Sequence, residues 1–308
     1  MRAVTYSSYG GPETHELRDI PIPEPGEGEV RIRVRAAGLN PWDWHIYRGD
    51  PWLARFSNGL FKPGDRVVGA DAAGEIDALG PGVEGWQVGD RVFGFLGFGA
   101  CADYAIAKSA KIARTPEGAS DAEAAAVPIG AITALGGLED GGGCEGRSVL
   151  VIGASGGVGH MAVQIARALG ASRVVAVCSA RNAAMVTELG ADRVIDYTSE
   201  DVLDCGETFD VVYDTVGTTR LTRLKRIIEP DGVYLAAGGL GGGGALVCSS
   251  GGELGDVVGL VGPFDAVDRV VDGGVHVAAG HGIADAVEAE AALRVLRDFL
   301  RPAGDQRL

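Results

Sequence analysis

The chain has 308 residues, of which 46% are hydrophobic and 22% charged, a composition typical of a globular protein with room for two domains. Its formal net charge of -15 argues strongly against general nucleic-acid binding, because phosphates would repel the surface. The sequence has no run of about 18 apolar residues, so we expect no membrane-spanning segment.

The cysteines are odd in number and widely spaced. They form no CxxC pair, and they are Cys101, Cys144, Cys178, Cys205 and Cys248. This pattern favours reduced thiols over a disulfide framework or a zinc cluster. We therefore expect a cytoplasmic protein.

The first part of the chain contains short strand patterns separated by Pro and Gly. From Val30 to Ala36 apolar residues alternate with Arg, as in a strand with one buried face. Similar short patterns occur at Arg66–Val68, Gly74–Ile76 and Arg91–Phe93. We predict a small β-rich domain over residues 1–118.

The pattern changes at about residue 119, where strands begin to alternate with helices. An Ala-rich helical stretch runs from Asp121 to Leu138, although Pro128 must start, end or kink a helix there. Strands are predicted at 148–152, 173–178, 193–195, 210–213 and 233–235, with helices at 158–169, 182–189 and 221–228. The alternation predicts an α/β fold with a doubly wound parallel sheet over residues 119–262.

A glycine-rich turn follows the first of these strands and precedes a helix. Its residues are Ala154, Ser155, Gly156, Gly157, Val158 and Gly159, a variant of the GxGxxG pattern. Glycines let the backbone approach a pyrophosphate, and the helix N-terminus offers N–H groups and partial positive charge. The turn predicts a dinucleotide-binding site.

The end of the second strand indicates which dinucleotide binds. NAD-binding units carry an acid there for the ribose 2′-hydroxyl, but this chain has Ser179, Arg181 and Asn182, with no acid before Glu188. Ser and Arg can hydrogen-bond a 2′-phosphate, so NADPH is favoured. The alternative is that Arg181 is simply solvated in the first turn of a helix.

Several motifs together resemble one family. They are Ala154–Gly159, Leu189–Tyr197, Asp214–Gly217, Ala37–Asp43 and Val88–Gly94. They resemble the zinc-independent medium-chain dehydrogenases/reductases, in particular the quinone oxidoreductase (zeta-crystallin-like) branch, over about residues 1–240. The resemblance implies a GroES-like catalytic domain, a Rossmann domain and NADPH-dependent reduction of a small-molecule quinone or activated alkene. A homodimer is compatible with it.

The resemblance also implies which residues line the site. Asn40 matches a position beside the nicotinamide, from which its amide can donate to the acceptor oxygen. His45 is a candidate proton relay, or else a packed or solvated side chain, and Asp43 more readily orients its neighbours than acts as a base. The nearby aromatic residues suit either stacking on a flat acceptor or core packing, and they are Trp42, Trp44, Tyr47 and Trp52.

Four further cofactor contacts rest on the resemblance alone. It implies that Thr133 lies near the nicotinamide and that Tyr197 lies beside the adenosine phosphate. It places Val216 and Gly217 at the end of the next strand, against the cofactor. Tyr197 is alternatively a surface cap on its strand.

No metal is expected. Zinc-dependent relatives carry a Cys just after the glycine that corresponds to Gly38, and a His-Glu pair after the one that corresponds to Gly69. This chain has Leu39-Asn40 and Ala70-Asp71 at those points. A zinc site needs three or four suitable ligands, so we expect a zinc-independent enzyme.

The resemblance fails in the C-terminal segment, residues 263–308. A helix is predicted over Ile283–Leu300, but no closing strand follows it, as truncation or a frame change would produce. We expect this atypical segment to return to the catalytic domain. Two alternatives to a quinone reductase stay open, namely a 2-alkenal or enone reductase of the same family and a low-turnover NADPH-binding sensor or structural protein.

Overall fold

A computed structural model describes residues 1–50, 52 and 55–237, together with the backbone of three short strands at 245–249, 257–261 and 278–279. The described residues divide into two compact units, one comprising Met1–Ile129 and the other beginning at Gly130. Among the described residues, no helix is long and apolar enough to cross a membrane.

The first unit is built mainly from antiparallel strands. Strands β2, β1 and β4 form one sheet, and β7, β3, β5, β6 and β8 form a second. Their bounds are β1 Arg2–Tyr6, β2 His15–Asp19, β3 Glu29–Gly38, β4 Arg66–Val67, β5 Asp71–Leu79, β6 Arg91–Phe95, β7 Tyr104–Lys108 and β8 Ile112–Arg114.

The alternation predicted for β3 is confirmed by its two faces. Val30 and Ile32 are fully buried, whereas Arg31 and Arg33 both donate to Asp77 on β5. The buried side chains of this sheet form one apolar cluster, which contains Val30, Ile32, Ile76, Val92, Ala107 and Ile112.

The pairing of β3 with β5 positions the residues that follow β3. Gly38, the last residue of β3, lies opposite Asp71, the first residue of β5. A Cβ on Gly38 would lie 2.3 Å from the carbonyl oxygen of Ala125, so only glycine fits. Asn40 is therefore delivered close to Asp71.

Among the described residues of the first unit, four α-helices begin, namely α1 Pro41–Arg48, α2 Arg55–Asn58, α3 Asp121–Ala125 and α4 Pro128–Asp140. Helix α3 is capped by Ser120, whose side chain accepts from the backbone N–H of Glu123. Pro128 is the first residue of α4, where a missing N–H costs no helical hydrogen bond. The Ala-rich stretch is thus two helices divided before the proline.

The second unit contains an open sheet in the order β11-β10-β9-β12-β13-β14-β15-β16. Strands β11 to β13 pair in parallel, and β14 and β15 add antiparallel pairs. The strands are β9 Ser148–Ile152, β10 Arg173–Cys178, β11 Arg193–Asp196, β12 Phe209–Asp214, β13 Ile228–Ala237, β14 Ala245–Ser249, β15 Val257–Val261 and β16 Ala278–Ala279. The helices are α5 Gly157–Ala168, α6 Ala183–Glu188 and α7 Leu221–Leu224.

The core of this unit explains its parallel pairing. Val149, Leu150 and Val151 of β9 are all fully buried, as expected for a strand covered on both faces. The order of the parallel strands is that of a Rossmann sheet, which confirms the predicted fold class. The helix predicted at Ile283–Leu300 and, apart from β16, the whole segment 263–308 lie outside the described residues.

Candidate functional site

The glycine-rich turn joins β9 to α5 as the sequence predicts. Gly153, just after β9, has a φ of +81°, a left-handed conformation that favours glycine. A Cβ there would also lie 2.4 Å from the side-chain oxygen of Thr215. That oxygen donates to the carbonyl of Ile152, which ties the end of β12 to the turn.

The remaining glycines of the turn have two different surroundings. A Cβ on Gly159 would lie 2.1 Å from the carbonyl oxygen of Gly153, so Gly159 permits close packing of α5 against the strand. A Cβ on Gly157 would meet no heavy atom within 4 Å. The turn therefore packs tightly against its own strand at Gly159, whereas its backbone at Gly157, the start of α5, is not covered by other atoms.

This open backbone fits the phosphates of a dinucleotide. The first N–H groups of a helix have no intrahelical partner, and the helix dipole favours an anion there. Ala154 is buried, and Val158 is half-buried. Ser155 accepts a hydrogen bond of 3.0 Å from the side chain of Asn182, which brings two predicted cofactor contacts together.

Just after β10, the guanidinium group of Arg181 is free to bind an anion. Arg181 is exposed, and among the described residues it has no ion-pair or hydrogen-bond partner. Ser179 is half-buried and begins the short 3-10 turn Ala180–Asn182. Both residues lie where a 2′-phosphate would be recognised.

The structure also places an acid near this point, which the sequence analysis missed. Asp196, at the end of β11, pairs in register with Cys178, the last residue of β10. The Asp196 carboxyl accepts hydrogen bonds from the backbone and side chain of Thr198 and from the N–H of Ala180. These bonds lower the pKa of the Asp196 carboxyl, so the carboxyl is ionised. Tyr197, the next residue, is 64% exposed and available to a ligand.

A buried carboxylate anchors the loop after β12. Asp214 is 1% exposed, and one of its oxygens accepts from the N–H groups of Val216 and Gly217, both at 2.9 Å. The other oxygen accepts from the Tyr234 hydroxyl at 3.0 Å. The predicted contacts Val216 and Gly217 are thus held in one conformation.

Thr133 lies half-buried on α4. Its carbonyl oxygen accepts a hydrogen bond of 2.8 Å from the Tyr213 hydroxyl on β12. This contact ties the helix that carries Thr133 to the strand that ends at Asp214.

In the first unit, two carboxylates surround Asn40. Its backbone N–H donates to Asp43 at 2.7 Å, and Asp43 is in the first turn of α1, so the pair caps that helix. Its side-chain Nδ2 donates to Asp71 at 2.9 Å. Burial raises the pKa of the Asp43 carboxyl, although three backbone N–H groups oppose the shift. Asp43 thus holds the backbone of Asn40 at the start of α1.

Asp71 is a second residue that the sequence analysis did not place in the site. Its side chain is fully buried, and Oδ2 accepts from both Asn40 and the N–H of Ile129, the latter at 3.1 Å. Burial raises the pKa of this carboxyl to about 7, and the charge of Asp43 adds to the shift.

His45 lies on the opposite end of α1 from Asn40. Its Nδ1 is 2.6 Å from the carbonyl oxygen of Asp50, and its ring stacks on Trp44 with centroids 3.9 Å apart. His45 is thus packed against its neighbours within and just after α1. Its Nε2 takes no part in these two contacts.

The aromatic residues around α1 have several different ring neighbours among the described residues. Trp42 packs edge-on against Phe95, and Trp52 contacts Phe56. Of the four tryptophan and tyrosine residues named above, Trp42 and Tyr47 line a small cleft. The other lining residues are Tyr6, Asp43, Ile46, Val68, Gly69, Gly97 and Phe98.

At the two points where zinc-dependent relatives carry metal ligands, this chain has different residues. Leu39 and Asn40 follow Gly38, and Ala70 and Asp71 follow Gly69. Within the part of the chain that the structure describes, no group of three or more His, Cys, Asp or Glu side chains is placed to hold a metal ion.

Comparison with known proteins identifies both units. The family called "Alcohol dehydrogenase GroES-like domain" matches residues 26–117, and the one called "Zinc-binding dehydrogenase" matches residues 157–252. The chain is 33% identical to a 2-methylene-furan-3-one reductase of Solanum lycopersicum over 297 residues, covering 88% of this chain and 74% of the relative.

Two further matches widen the comparison. An NADPH-dependent alkenal/one oxidoreductase of the Arabidopsis thaliana chloroplast is 32% identical over 78% of this chain, which spans only 63% of that relative's length. The solved structure of the quinone oxidoreductase from Coxiella burnetii superposes with a TM-score of 0.67 at 32% identity, covering 76% of this chain and 74% of that one.

A GroES-like unit followed by a Rossmann sheet with a dinucleotide turn defines a nicotinamide-dependent oxidoreductase. This chain belongs to the medium-chain dehydrogenase/reductase superfamily, in its quinone oxidoreductase branch.

Proposed function

We propose that the protein is an NADPH-dependent, zinc-independent oxidoreductase that transfers hydride to a quinone. The observation that carries the proposal is the amide of Asn40. It stands where zinc-dependent relatives carry a metal ligand, and it is held by Asp43 and Asp71. A hydrogen-bond donor in place of a metal suits acceptors that are easily reduced.

The preference for NADPH rests on the end of β10. Arg181 has no partner among the described residues, and Ser179 offers a hydroxyl beside it. A guanidinium pairs with phosphate through charge-assisted hydrogen bonds, which a ribose hydroxyl cannot match. The phosphates would lie on the open backbone of Gly156 and Gly157, with Ser155, Asn182, Tyr197, Val216 and Gly217 as further contacts.

When bound, NADPH supplies a hydride, which carries two electrons to the acceptor and leaves NADP⁺. Asn40 has two N–H donors, of which Asp71 accepts one, so the second is left to donate to the acceptor oxygen as negative charge develops. A proton from water then completes the hydroquinone or the saturated carbonyl. His45 is not required as an acid, because water can supply the proton after hydride transfer.

The second candidate is an enone or 2-alkenal reductase. The Asn40 donor suits this reaction as well, because the enolate formed from an enone also needs a hydrogen bond, and needs it more than a quinone-derived anion, whose charge is already delocalised. A low-turnover NADPH-binding sensor or structural protein is a third outcome of the test below. The cytoplasmic location, the homodimer, the domain limits and the role of Thr133 stay predictions.

The test is a panel of NADPH oxidation rates over quinones, enones and simple ketones, run before and after dialysis against a chelator. We expect turnover with quinones and enones, little with ketones, and no change after dialysis. Elemental analysis should find well under one zinc per chain.

Two results would reject the proposal. Turnover confined to ketones, lost on dialysis against the chelator and restored only by added zinc, would indicate a zinc alcohol dehydrogenase. NADPH binding without turnover on any acceptor would indicate the sensor or structural role.

A further inference from the structure

Asp71 is a buried ionisable residue. The mechanism above gives it no chemical role beyond its contact with Asn40. It is 0% exposed, and its Oδ2 accepts from the Asn40 side chain and from the N–H of Ile129 at the start of α4. Its Oδ1 is buried and has no hydrogen-bond partner among the residues that the structure describes. An ionised carboxylate with one unpaired oxygen is costly in such a place.

We propose that Asp71 is the positioning residue of the acceptor site, and that it holds the Asn40 amide in place in its neutral form while the acceptor is reduced. The inference rests on the proposed function, because it gives Asn40 a task that depends on the orientation of its amide.

The positioning role follows from the geometry around β5. Asp71 is the first residue of β5, opposite Gly38 on one side and Phe95 on the other. Both neighbours are uncharged, and Gly38 leaves room for the Asp71 side chain because it has no Cβ. A single oxygen of Asp71 therefore ties Asn40, two residues after β3, to Ile129, the second residue of α4.

The neutral form follows from the charges that face Asp71. The charged side chain that acts on it is Asp43, from α1, while Asn40 and the Ile129 N–H contribute dipoles that favour ionisation. Burial outweighs these dipoles and raises the pKa of Asp71 to about 7. If Asp71 were ionised, its charge and that of Asp43 would both oppose the anion that develops on the acceptor oxygen.

The inference fixes the direction of a pH effect. Below pH 7 Asp71 is largely neutral and the site is competent. Above pH 7 turnover should fall, approaching tenfold per pH unit, because the neutral fraction falls at that rate. The loss should be steeper for an enone than for a quinone, since the enolate depends more on Asn40.

The experiment compares Asp71→Asn and Asp71→Ala with the wild type. Asn retains a carbonyl oxygen that can accept from Asn40 and Ile129, but it cannot ionise. We expect Asp71→Asn to keep turnover within a few-fold of wild type at pH 6 and to abolish the fall above pH 7. Asp71→Ala should lower turnover about tenfold or more at every pH, while the dissociation constant of NADPH changes little.

Asp77→Asn is the matched control. Asp77 lies in the same strand, where it pairs with Arg31 and Arg33 on the exposed face of β3. Its substitution should leave the pH profile of turnover unchanged.

A second readout does not depend on turnover. The side-chain amide resonances of Asn40 should move with a midpoint near pH 7 in the wild type and should not move in Asp71→Asn. If these resonances titrate but the wild type reduces no acceptor, the proposed function fails, and with it the acceptor-site role of Asp71, while the coupling of Asp71 to the Asn40 amide is upheld.

The inference is overturned if the wild type is active but Asp71→Asn shows the same fall above pH 7. It is also overturned if Asp71→Ala is as active as wild type, or if the Asn40 amide does not titrate.

Discussion

The glycine-rich turn and the Asn40 region offer two different kinds of hydrogen-bond donor. Around Gly157 the donors are backbone N–H groups at the start of a helix, and the surface in front of them is open. Around Asn40 the donor is one side-chain amide, and it is fixed by two carboxylates that are 8% and 0% exposed. The turn depends on glycines, which leave its backbone uncovered by side chains. The Asn40 region depends on the burial of its carboxyl groups.

This difference determines how each region can be broken. Added volume should damage the turn, because a Cβ at some of its glycines would collide with backbone. Ionisation of Asp71 should damage the Asn40 region, because a buried charge interacts strongly with its neighbours. The predictions below test this distinction, beginning with the largest expected effect.

The largest effect is expected from Gly159→Val. A Cβ at this position would lie 2.1 Å from the Gly153 carbonyl oxygen, so α5 must move away from β9. We expect the free energy of unfolding to fall by about 3 kcal/mol or more, measured by denaturant titration, with loss of NADPH binding. Gly157→Ala is the matched control, because a Cβ there meets nothing within 4 Å. It should keep the stability and weaken NADPH alone; equal destabilisation by both variants would contradict the account.

The next effect concerns the stability contributed by Asp71. Its pKa is about 7 in the folded state and 3.8 in the reference state, so the folded protein favours the protonated form. The associated stability is complete below pH 4 and is lost as the pH rises to 7, by at most about 4 kcal/mol. The difference in unfolding free energy between wild type and Asp71→Asn isolates this contribution from that of other carboxylates. A difference that is constant from pH 4 to pH 8 would show that Asp71 does not titrate in this range.

A smaller effect is expected from Arg181→Ala. The lost contact with the 2′-phosphate should weaken NADPH binding by about 1.5–3 kcal/mol, tenfold or more. NADH has no such phosphate, so its dissociation constant should hardly change. Fluorescence titration of both cofactors is the measurement. Equal affinities for NADPH and NADH in the wild type would reject the assignment of Arg181.

The smallest effect is expected from Asp196→Asn. The ionised Asp196 lies beside the end of β10, where it should oppose a 2′-phosphate. Asn keeps an oxygen for the bonds from Thr198 but removes the charge. We expect NADPH to bind about two- to fivefold more tightly and NADH to be unaffected. Tighter binding of both cofactors would indicate a change in the loop and not in its charge.

The regions also differ in how well the sequence predicted them. Strands β9 and β10 lie at the predicted residues, and Gly153 and Gly159 have the tight surroundings that the pattern implied, because such patterns are local in the chain. The contact between Asn40 and Asp71 joins residues 31 positions apart and depends on the register of β3 with β5.

Two other features were missed for different reasons. Helix α1 begins at Pro41 within the domain predicted to be β-rich, and it was missed because its capping residues Asn40 and Asp43 were considered only for chemistry. Asp196 was overlooked because an acid was sought on β10, whereas the parallel pairing brings one from β11. The start of α1 is a local pattern, whereas the position of Asp196 requires knowledge of which strands are neighbours.

The most direct test of the central claim is the turnover of Asn40→Ala and His45→Phe on one quinone and one enone, with NADPH affinity measured in parallel. If Asn40 donates to the developing oxyanion without a metal, Asn40→Ala should lower turnover more than it weakens NADPH binding, and more for the enone than for the quinone. His45→Phe should matter less, because the proton arrives from water. Loss of quinone reduction in His45→Phe, with both substrates unaffected by Asn40→Ala, would contradict the account.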